Sequence, residues 1–126
     1  MEAGVFAYKV DRNTTVALDD RILEDTVDPT RIEETEADRD WINSLKDLGT
    51  RARIQVRVDR LVHGDPGSHR HLTDGIGELK IDVGPGYRVY YMIRETRLLL
   101  LLAGGDKSTQ RRDIEKAIRL ARNDEE

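Results

Sequence analysis

The sequence predicts an α+β domain in which two consecutive helices and a C-terminal helix pack on a β-sheet. Three observations carry this prediction. Residues 75–110 show the apolar patterns of three consecutive strands, residues 35–62 show two apolar stripes with helical spacing, and the residues after 108 show a third stripe. At 126 residues, the chain is long enough for one hydrophobic core but not for two.

The three strands are recognised by how their apolar residues alternate. Residues 78–82 and 87–94 alternate side chains between two faces, as strands with two different faces do. The G-P-G sequence at residues 84–86 lets the chain reverse between them, because glycine tolerates positive φ angles and proline fixes its own. Residues 98–102 are all leucine, which is typical of a central strand covered on both sides. Residues 31–35 are predicted to form a further short strand.

The helices are predicted from capping residues and apolar stripes. Thr35 is expected to cap a first helix that continues through Asp47 and ends at Gly49. Thr50 is expected to cap the second helix, and the short link predicts a helical hairpin on the sheet. Ser108 is expected to cap the last helix. The three stripes are Trp41, Ile42, Leu45 and Leu48; Ile54, Val58, Leu61 and Val62; and Ile114, Ala117, Ile118 and Ala121.

Charge is distributed unevenly along the chain and divides it in two. Residues 1–40 have a net charge of −7, residues 41–123 have +6 and the last three residues have −3. We therefore expect an acidic N-terminal extension over residues 1–30 and a packed domain over residues 31–126, in which residues 41–123 are cationic. The extension is interpreted either as a partly ordered segment or as an acidic segment that docks on the cationic domain and masks it.

The composition limits the classes of protein to which this chain can belong. The chain has no cysteine, no run of about 18 apolar residues and no signal-peptide pattern, which predicts a cytoplasmic protein without disulfides or a membrane partner. Phosphate-loop, serine-hydrolase and zinc-protease motifs are absent, and we expect no cofactor. His63, His69 and His71 lie in or beside one glycine-rich loop, where a zinc site is conceivable but solvated histidines are the commoner outcome.

Basic and hydroxyl side chains are predicted to gather on one face of the sheet. Strand alternation places Lys80 and Arg88 on the same face of neighbouring strands, with Tyr90 two residues further, and Lys107 follows the third strand. Such a face would bind a phosphodiester of single-stranded nucleic acid through its cations, with the Tyr90 ring stacking on a base. Fixed cations could also support RNA cleavage by the ribose 2′-OH. The alternatives are that Lys80 and Arg88 make ordinary ion pairs and that Tyr90 packs in the sheet. Further candidates for RNA contact are Arg53, Arg57, Ser108 and Gln110.

Several motifs together resemble a known family. They are W-I-N-S-L-K-D at residues 41–47, D-G-I-G-E-L-K-I-D at 74–82, G-P-G-Y-R-V-Y-Y at 84–91 and L-L-L-A-G-G-D-K-S-T-Q-R-R-D-I at 100–114, with R-A-R-I opening the second helix. Their order over residues 31–123 resembles the RelE/ParE toxin superfamily, and within it the HigB-like, phage-derived addiction module killer branch.

This resemblance implies a RelE-like fold: an N-terminal helical hairpin on a mainly antiparallel sheet of three to four strands, then a C-terminal helix. It implies the toxin of a type II toxin–antitoxin system. Such toxins typically cleave ribosome-associated mRNA and are neutralised by an antitoxin, often of the helix-turn-helix type. By position, Arg88 would contact the scissile phosphate, Lys80 would transfer a proton and Lys107 would be the basic residue after the last strand. The superfamily's C-terminal tyrosine or histidine has no obvious counterpart, and Gln110 and Asp113 stand nearest.

Two other functions remain open at this point. One is a ParE-like toxin that inhibits a protein target such as DNA gyrase without cleaving RNA. The other is an inactive or regulatory member whose acidic extension covers the cationic face.

Overall fold

The fold is a mixed α+β domain, seen here in a computed structural model that describes residues 5–7, 31–94 and 98–124. The elements within these residues are β1 (Val5–Ala7), β2 (Arg31–Thr35), α1 (Glu36–Ser44), α2 (Leu48–Val62), β3 (His69–His71), β4 (Ile76–Ile81), β5 (Tyr87–Arg94), β6 (Leu98–Asp106), a 3₁₀ turn (Lys107–Thr109) and α3 (Gln110–Asp124).

The strands form a single sheet in the order β1-β2-β6-β5-β4-β3, so the described residues contain six strands where three or four were predicted. Strands β3 to β6 pair antiparallel with their neighbours, as does β1 with β2. The exception is β2, which runs parallel to β6 and pairs Arg31 with Leu98 and Glu34 with Leu101. This parallel pair joins the first part of the domain to its last strand.

The two faces of the sheet bury separate apolar clusters, as the alternation predicted. One face carries Leu79, Val89 and Leu101 and is covered by the apolar stripe of α2. The opposite face, which carries Tyr90 and Met92, is covered by α3. The leucine run of β6 contributes to both clusters and is buried throughout, which confirms its prediction as a covered central strand. The apolar stripes predicted for α2 and α3 are the ones that pack.

The predicted helical hairpin is not seen. Thr35 does cap α1, since its hydroxyl accepts a hydrogen bond from the Asp38 N–H at 3.1 Å. The helix ends at Ser44, however, and Asp47 caps α2 by accepting from the Gly49 N–H at 3.0 Å. Gly49 and Thr50 therefore lie inside α2 rather than at its boundary, and Leu48 is 72% exposed instead of buried.

Helices α1 and α2 instead border a groove of about 530 Å³ whose floor includes Val89 and Leu101. The buried Asp38 lines this groove. Burial raises the pKa of Asp38 well above its ordinary value, and the neighbouring Glu34 carboxyl raises it further.

Two short strands lie at the edges of the sheet. Strand β3 falls within residues 64–75, which the sequence predicted as a loop, and it pairs with β4 through His69–Leu79 and Arg70–Glu78. At the other edge, β1 pairs with β2. The suggested docking or masking role of the acidic extension depends mainly on residues 8–30, which lie outside the described residues. Among the described helices, none combines the length and apolar character needed to cross a membrane.

Candidate functional site

The site is centred on Arg88, a cation held inside the α3 face of the sheet. Arg88 is only 8% exposed, and it lies opposite Lys80 on β4 and Gly105 on β6. Its Nη1 donates to the Tyr87 carbonyl at 3.1 Å, while its buried Nε has no hydrogen-bond partner. Within the described part of the chain, no carboxylate forms an ion pair with Arg88. A buried guanidinium with unused donors is costly unless an anion is supplied from elsewhere.

The G-P-G turn places a second cation beside Arg88. The Lys107 N–H donates to the Gly86 carbonyl at 2.8 Å. Gly86 has φ +85°, and a Cβ on it would lie 3.6 Å from Arg88 Nη1 and 3.7 Å from Lys107 Cβ. Arg88 and Lys107 therefore both lie next to Gly86. Lys80 lies beside Arg88 as its cross-strand partner. The structure thus brings together the three residues that the sequence assigned to catalysis. We call Lys80, Arg88 and Lys107 the cation cluster.

A row of buried polar groups lies next to the cation cluster. Glu78 is 0% exposed and stands opposite both Arg70 on β3 and Tyr90 on β5. Arg70 Nε donates to its Oε1 at 2.7 Å, and Gln110 Nε2 donates to its Oε2 at 2.8 Å. Burial would raise the pKa of Glu78, but the hydrogen bonds from Gln110 and Arg70 outweigh it, and the pKa is lowered. Glu78 is therefore a buried carboxylate that stays ionised and holds Arg70 and Gln110.

Tyr90 is part of this buried row. Burial raises the pKa of its hydroxyl, and the nearby charge of Glu78 raises it further. The hydroxyl lies beside the Glu78 carboxylate without a well-aligned hydrogen bond. Because the ring is fully buried, it offers no surface on which a base could stack, and the stacking role expected for Tyr90 does not fit its position.

Asp113 on α3 covers the site on the side that faces the helix. Its carboxylate packs directly on Gly105, where a Cβ would overlap Oδ2, and Thr109 Oγ1 donates to that oxygen at 2.5 Å. Gly105 is the cross-strand partner of Arg88, so Asp113 stands over the same part of the sheet. Asp113 is buried, and its charge also contributes to the raised pKa of Tyr90.

Of the remaining candidates, Ser108 and Gln110 lie near the cation cluster, whereas Arg53 and Arg57 do not. Arg57 lies on the α2 face, and its guanidinium donates hydrogen bonds to the carbonyls of Lys80, Pro66 and Ser68, at 2.5, 2.6 and 2.9 Å. Arg53 borders a groove beside it on the same side of the sheet. Ser108 is exposed next to Lys107, and Asp106 rather than Ser108 caps the turn by accepting from the Ser108 N–H and hydroxyl.

The histidines do not build a metal site in the part of the chain that is described. No three His, Asp or Glu side chains there lie close enough together to hold a metal ion. The Nδ1 atoms of His63 and His69 instead contact the carbonyls of Asp59 and Gly67, at 2.9 and 2.8 Å.

Sequence reasoning missed Glu78, Arg70 and Asp113 as members of the site. Glu78 belongs to a charged, alternating segment that is typical of a solvated face, and its burial depends on β3 and α3 covering it. Arg70 lay in a segment predicted as a loop, so its face could not be assigned. Asp113 was noted only as standing near a position of interest, and helical spacing does not show that it reaches Gly105.

Fold and site together define a small α+β protein with a cation cluster on the face of its sheet. The chain belongs to the family described as "Phage derived protein Gp49-like (DUF891)", whose model matches residues 40–124. This family is linked to toxins of the RelE and HigB type. An uncharacterised protein of Haemophilus influenzae is 48% identical over 81 residues, which cover 64% of this chain and 82% of the relative. No solved structure matches the chain.

Proposed function

We propose that this protein is the toxin of a type II toxin–antitoxin pair and that it cleaves mRNA at the cation cluster. The observation that carries the proposal is Arg88, a buried guanidinium without a carboxylate partner among the described residues. Purely structural buried arginines are normally paired, because an unpaired buried charge destabilises the fold. The link of the family to RelE- and HigB-type toxins supplies independent support.

The cleavage reaction fits the groups that surround Arg88. The ribose 2′-oxygen forms a bond to phosphorus while the bond to the 5′-oxygen breaks, so the hydroxyl proton leaves and the 5′-oxygen gains a proton. Negative charge accumulates on the phosphoryl oxygens, and Arg88 and its neighbour Lys107 would stabilise it. Lys80, the cross-strand neighbour of Arg88, is the candidate for proton transfer. No step of this scheme requires a metal ion.

The experiment is induction of the chain without its antitoxin, followed by growth measurement and mapping of mRNA 5′ ends. Wild type should arrest growth and create new 5′ ends within coding regions, whereas Arg88→Ala should do neither at equal expression. The matched control is Arg60→Ala, which removes an exposed arginine from α2 on the opposite side of the sheet. Circular dichroism should show that both variants remain folded. Growth arrest by Arg88→Ala equal to that of wild type would contradict the proposal.

The second candidate function is a toxin that inhibits a protein target such as DNA gyrase. One observation favours it. Gln110 and Asp113 stand nearest to the superfamily's C-terminal acid–base position, and both are engaged in hydrogen bonds inside the domain. Only the lysines of the cation cluster then remain for proton transfer. Growth arrest without new 5′ ends, together with loss of supercoiling activity in a gyrase assay, would select this function over cleavage.

The proposed partners are a neighbouring antitoxin and mRNA. Antitoxin binding would abolish arrest by covering the cation cluster or by adding a segment to the sheet edge. Co-expression of the adjacent open reading frame tests this, since growth should be restored and the two proteins should copurify.

A further inference from the structure

We propose that Arg70 is a second phosphate-binding residue, which holds the phosphate next to the one at Arg88 in a single strand of RNA lying across β3, β4 and β5. This inference rests on the proposed function and names a contact with the substrate outside the cation cluster. It also gives the short strand β3 a role in substrate binding.

The first argument is the way in which Arg70 is held. Its Nε donates to Glu78 Oε1 at 2.7 Å, while Oε2 of the same carboxylate is occupied by Gln110 Nε2 at 2.8 Å. An arginine that only neutralises a carboxylate commonly makes two parallel hydrogen bonds to it. Here the second oxygen is taken, so Glu78 fixes the guanidinium through one edge and leaves both terminal amino groups unused.

The second argument is that the Arg70 side chain is partly exposed and that its amino groups lack other acceptors among the described residues. The Arg70 side chain is 47% exposed, whereas that of Glu78 is 0% exposed. Over the described ranges 31–94 and 98–124, Glu78 is the one hydrogen-bond and ion-pair partner of Arg70. The anchor is ionised at neutral pH because its hydrogen bonds lower the pKa of Glu78 despite its burial. A fixed guanidinium with free terminal donors is preorganised to bind an anion.

The third argument is position. Arg70 pairs with Glu78, and Lys80 two residues further along β4 pairs with Arg88, so all four side chains lie on one face of the sheet. Two strand spacings and two residues of rise separate the Arg70 and Arg88 Cα atoms by about 12 Å. Arg70 is held by Glu78 on β4. The Arg88 guanidinium is held at the G-P-G turn instead, where its Nη1 donates to the Tyr87 carbonyl and lies near Gly86. The two guanidinium groups are thus fixed at different places along the sheet. Arg70 would therefore meet a neighbouring phosphate of the same strand, with Lys80 between the two.

The test is the salt dependence of binding to RNA that cannot be cleaved. The probes are 2′-fluoro RNAs, which lack the attacking hydroxyl: a dinucleotide with a single phosphate and an oligonucleotide of about 10 nucleotides. Each phosphate contact contributes about 0.7 to the slope of log K against log salt for single strands. Arg70→Gln should lower this slope by about 0.7 with the longer probe and leave dinucleotide binding unchanged, while Arg60→Gln should leave both unchanged.

A double variant separates a phosphate contact from a simple change of charge. Arg70→Gln with Glu78→Gln restores the net charge and removes the buried carboxylate that would otherwise lose a partner. If Arg70 binds phosphate, the double variant should show the same loss of slope as Arg70→Gln. Recovery of wild-type binding in the double variant, or equal slopes for Arg70→Gln and Arg60→Gln, would overturn the inference while leaving the proposed function intact. If wild type binds neither probe, the proposed function and this inference both fail.

Discussion

Gly104 offers the sharpest test of how the sheet is packed against α1. It lies in β6 opposite Val89, and a Cβ at this position would overlap three atoms of the Trp41 ring. The ring also contacts Tyr87 with its centroid 6.3 Å away, so it has a neighbour on another strand. Gly104→Ala must therefore displace the indole rather than strain its own backbone.

The expected loss follows from two opposing effects. Overpacking by one methyl group costs about 1–3 kcal/mol, while replacing glycine by alanine stabilises by about 0.4–1 kcal/mol because the unfolded chain becomes less free. We expect a net loss of about 1–2 kcal/mol in the free energy of unfolding. Urea denaturation measures it, and Trp41 is the only tryptophan of the chain, so its fluorescence reports on this contact directly.

The control is the same substitution in a chain without the indole. In a Trp41→Leu background, Gly104→Ala should be neutral or slightly stabilising, which gives a coupling free energy of about 1–3 kcal/mol between the two positions, the cost of the clash itself. Circular dichroism follows unfolding in that background. An equal loss with and without the indole would show that the clash with Trp41 is not the cause, and the packing described here would be refuted.

Three further predictions concern the cap, the buried acid and the cations. Thr35→Val should lower the free energy of unfolding by about 1–2 kcal/mol, because it removes both the cap of α1 and a hydroxyl donor to β6, whereas Thr35→Ser should retain most of the stability. Because the pKa of Asp38 is raised in the folded state, folding favours its protonated form. The resulting contribution to the free energy of unfolding is complete below the ordinary carboxyl pKa and is lost as the pH rises through the folded value. Asp38→Asn should therefore gain stability over wild type as the pH increases, and a constant difference across pH would contradict this. Lys80→Ala and Lys107→Ala should each weaken growth arrest at equal expression, while Lys116→Ala, an exposed change on α3, should not.

Local pattern was sufficient for the parts of the fold that depend on side-chain spacing. The alternation in β4 and β5 placed Lys80 and Arg88 on one face, and their cross-strand pairing confirms it. The leucine run of β6 indicated a strand covered on both sides, and the two core clusters confirm that as well. The position of Lys107 beside Arg88 also followed from sequence, since a residue just after one strand lies near the turn that precedes its neighbour.

Local sequence pattern failed where two residues could each cap the same helix. It also failed where pairing or burial depends on residues that are distant in the sequence. Asp47 and Thr50 are both good helix caps, and the structure uses Asp47 as the cap with Thr50 donating to its carboxylate at 3.0 Å. Strand β3 has only three residues and gains its stability from pairing with β4, which its own sequence does not reveal. The burial of Glu78 likewise depends on Arg70 and Gln110, which lie 8 and 32 residues away.

The parallel pairing of β2 with β6 also determines when the domain can be completed during synthesis of the chain. β2 is translated early, but the strand with which it pairs in parallel comes from residues 98–101, and α3 follows later still. A nascent chain that has not yet delivered its C-terminal quarter lacks Lys107, Gln110 and Asp113 and leaves Arg88 uncovered by a helix. The cation cluster and the groups around it are therefore assembled only when synthesis of the chain is nearly finished.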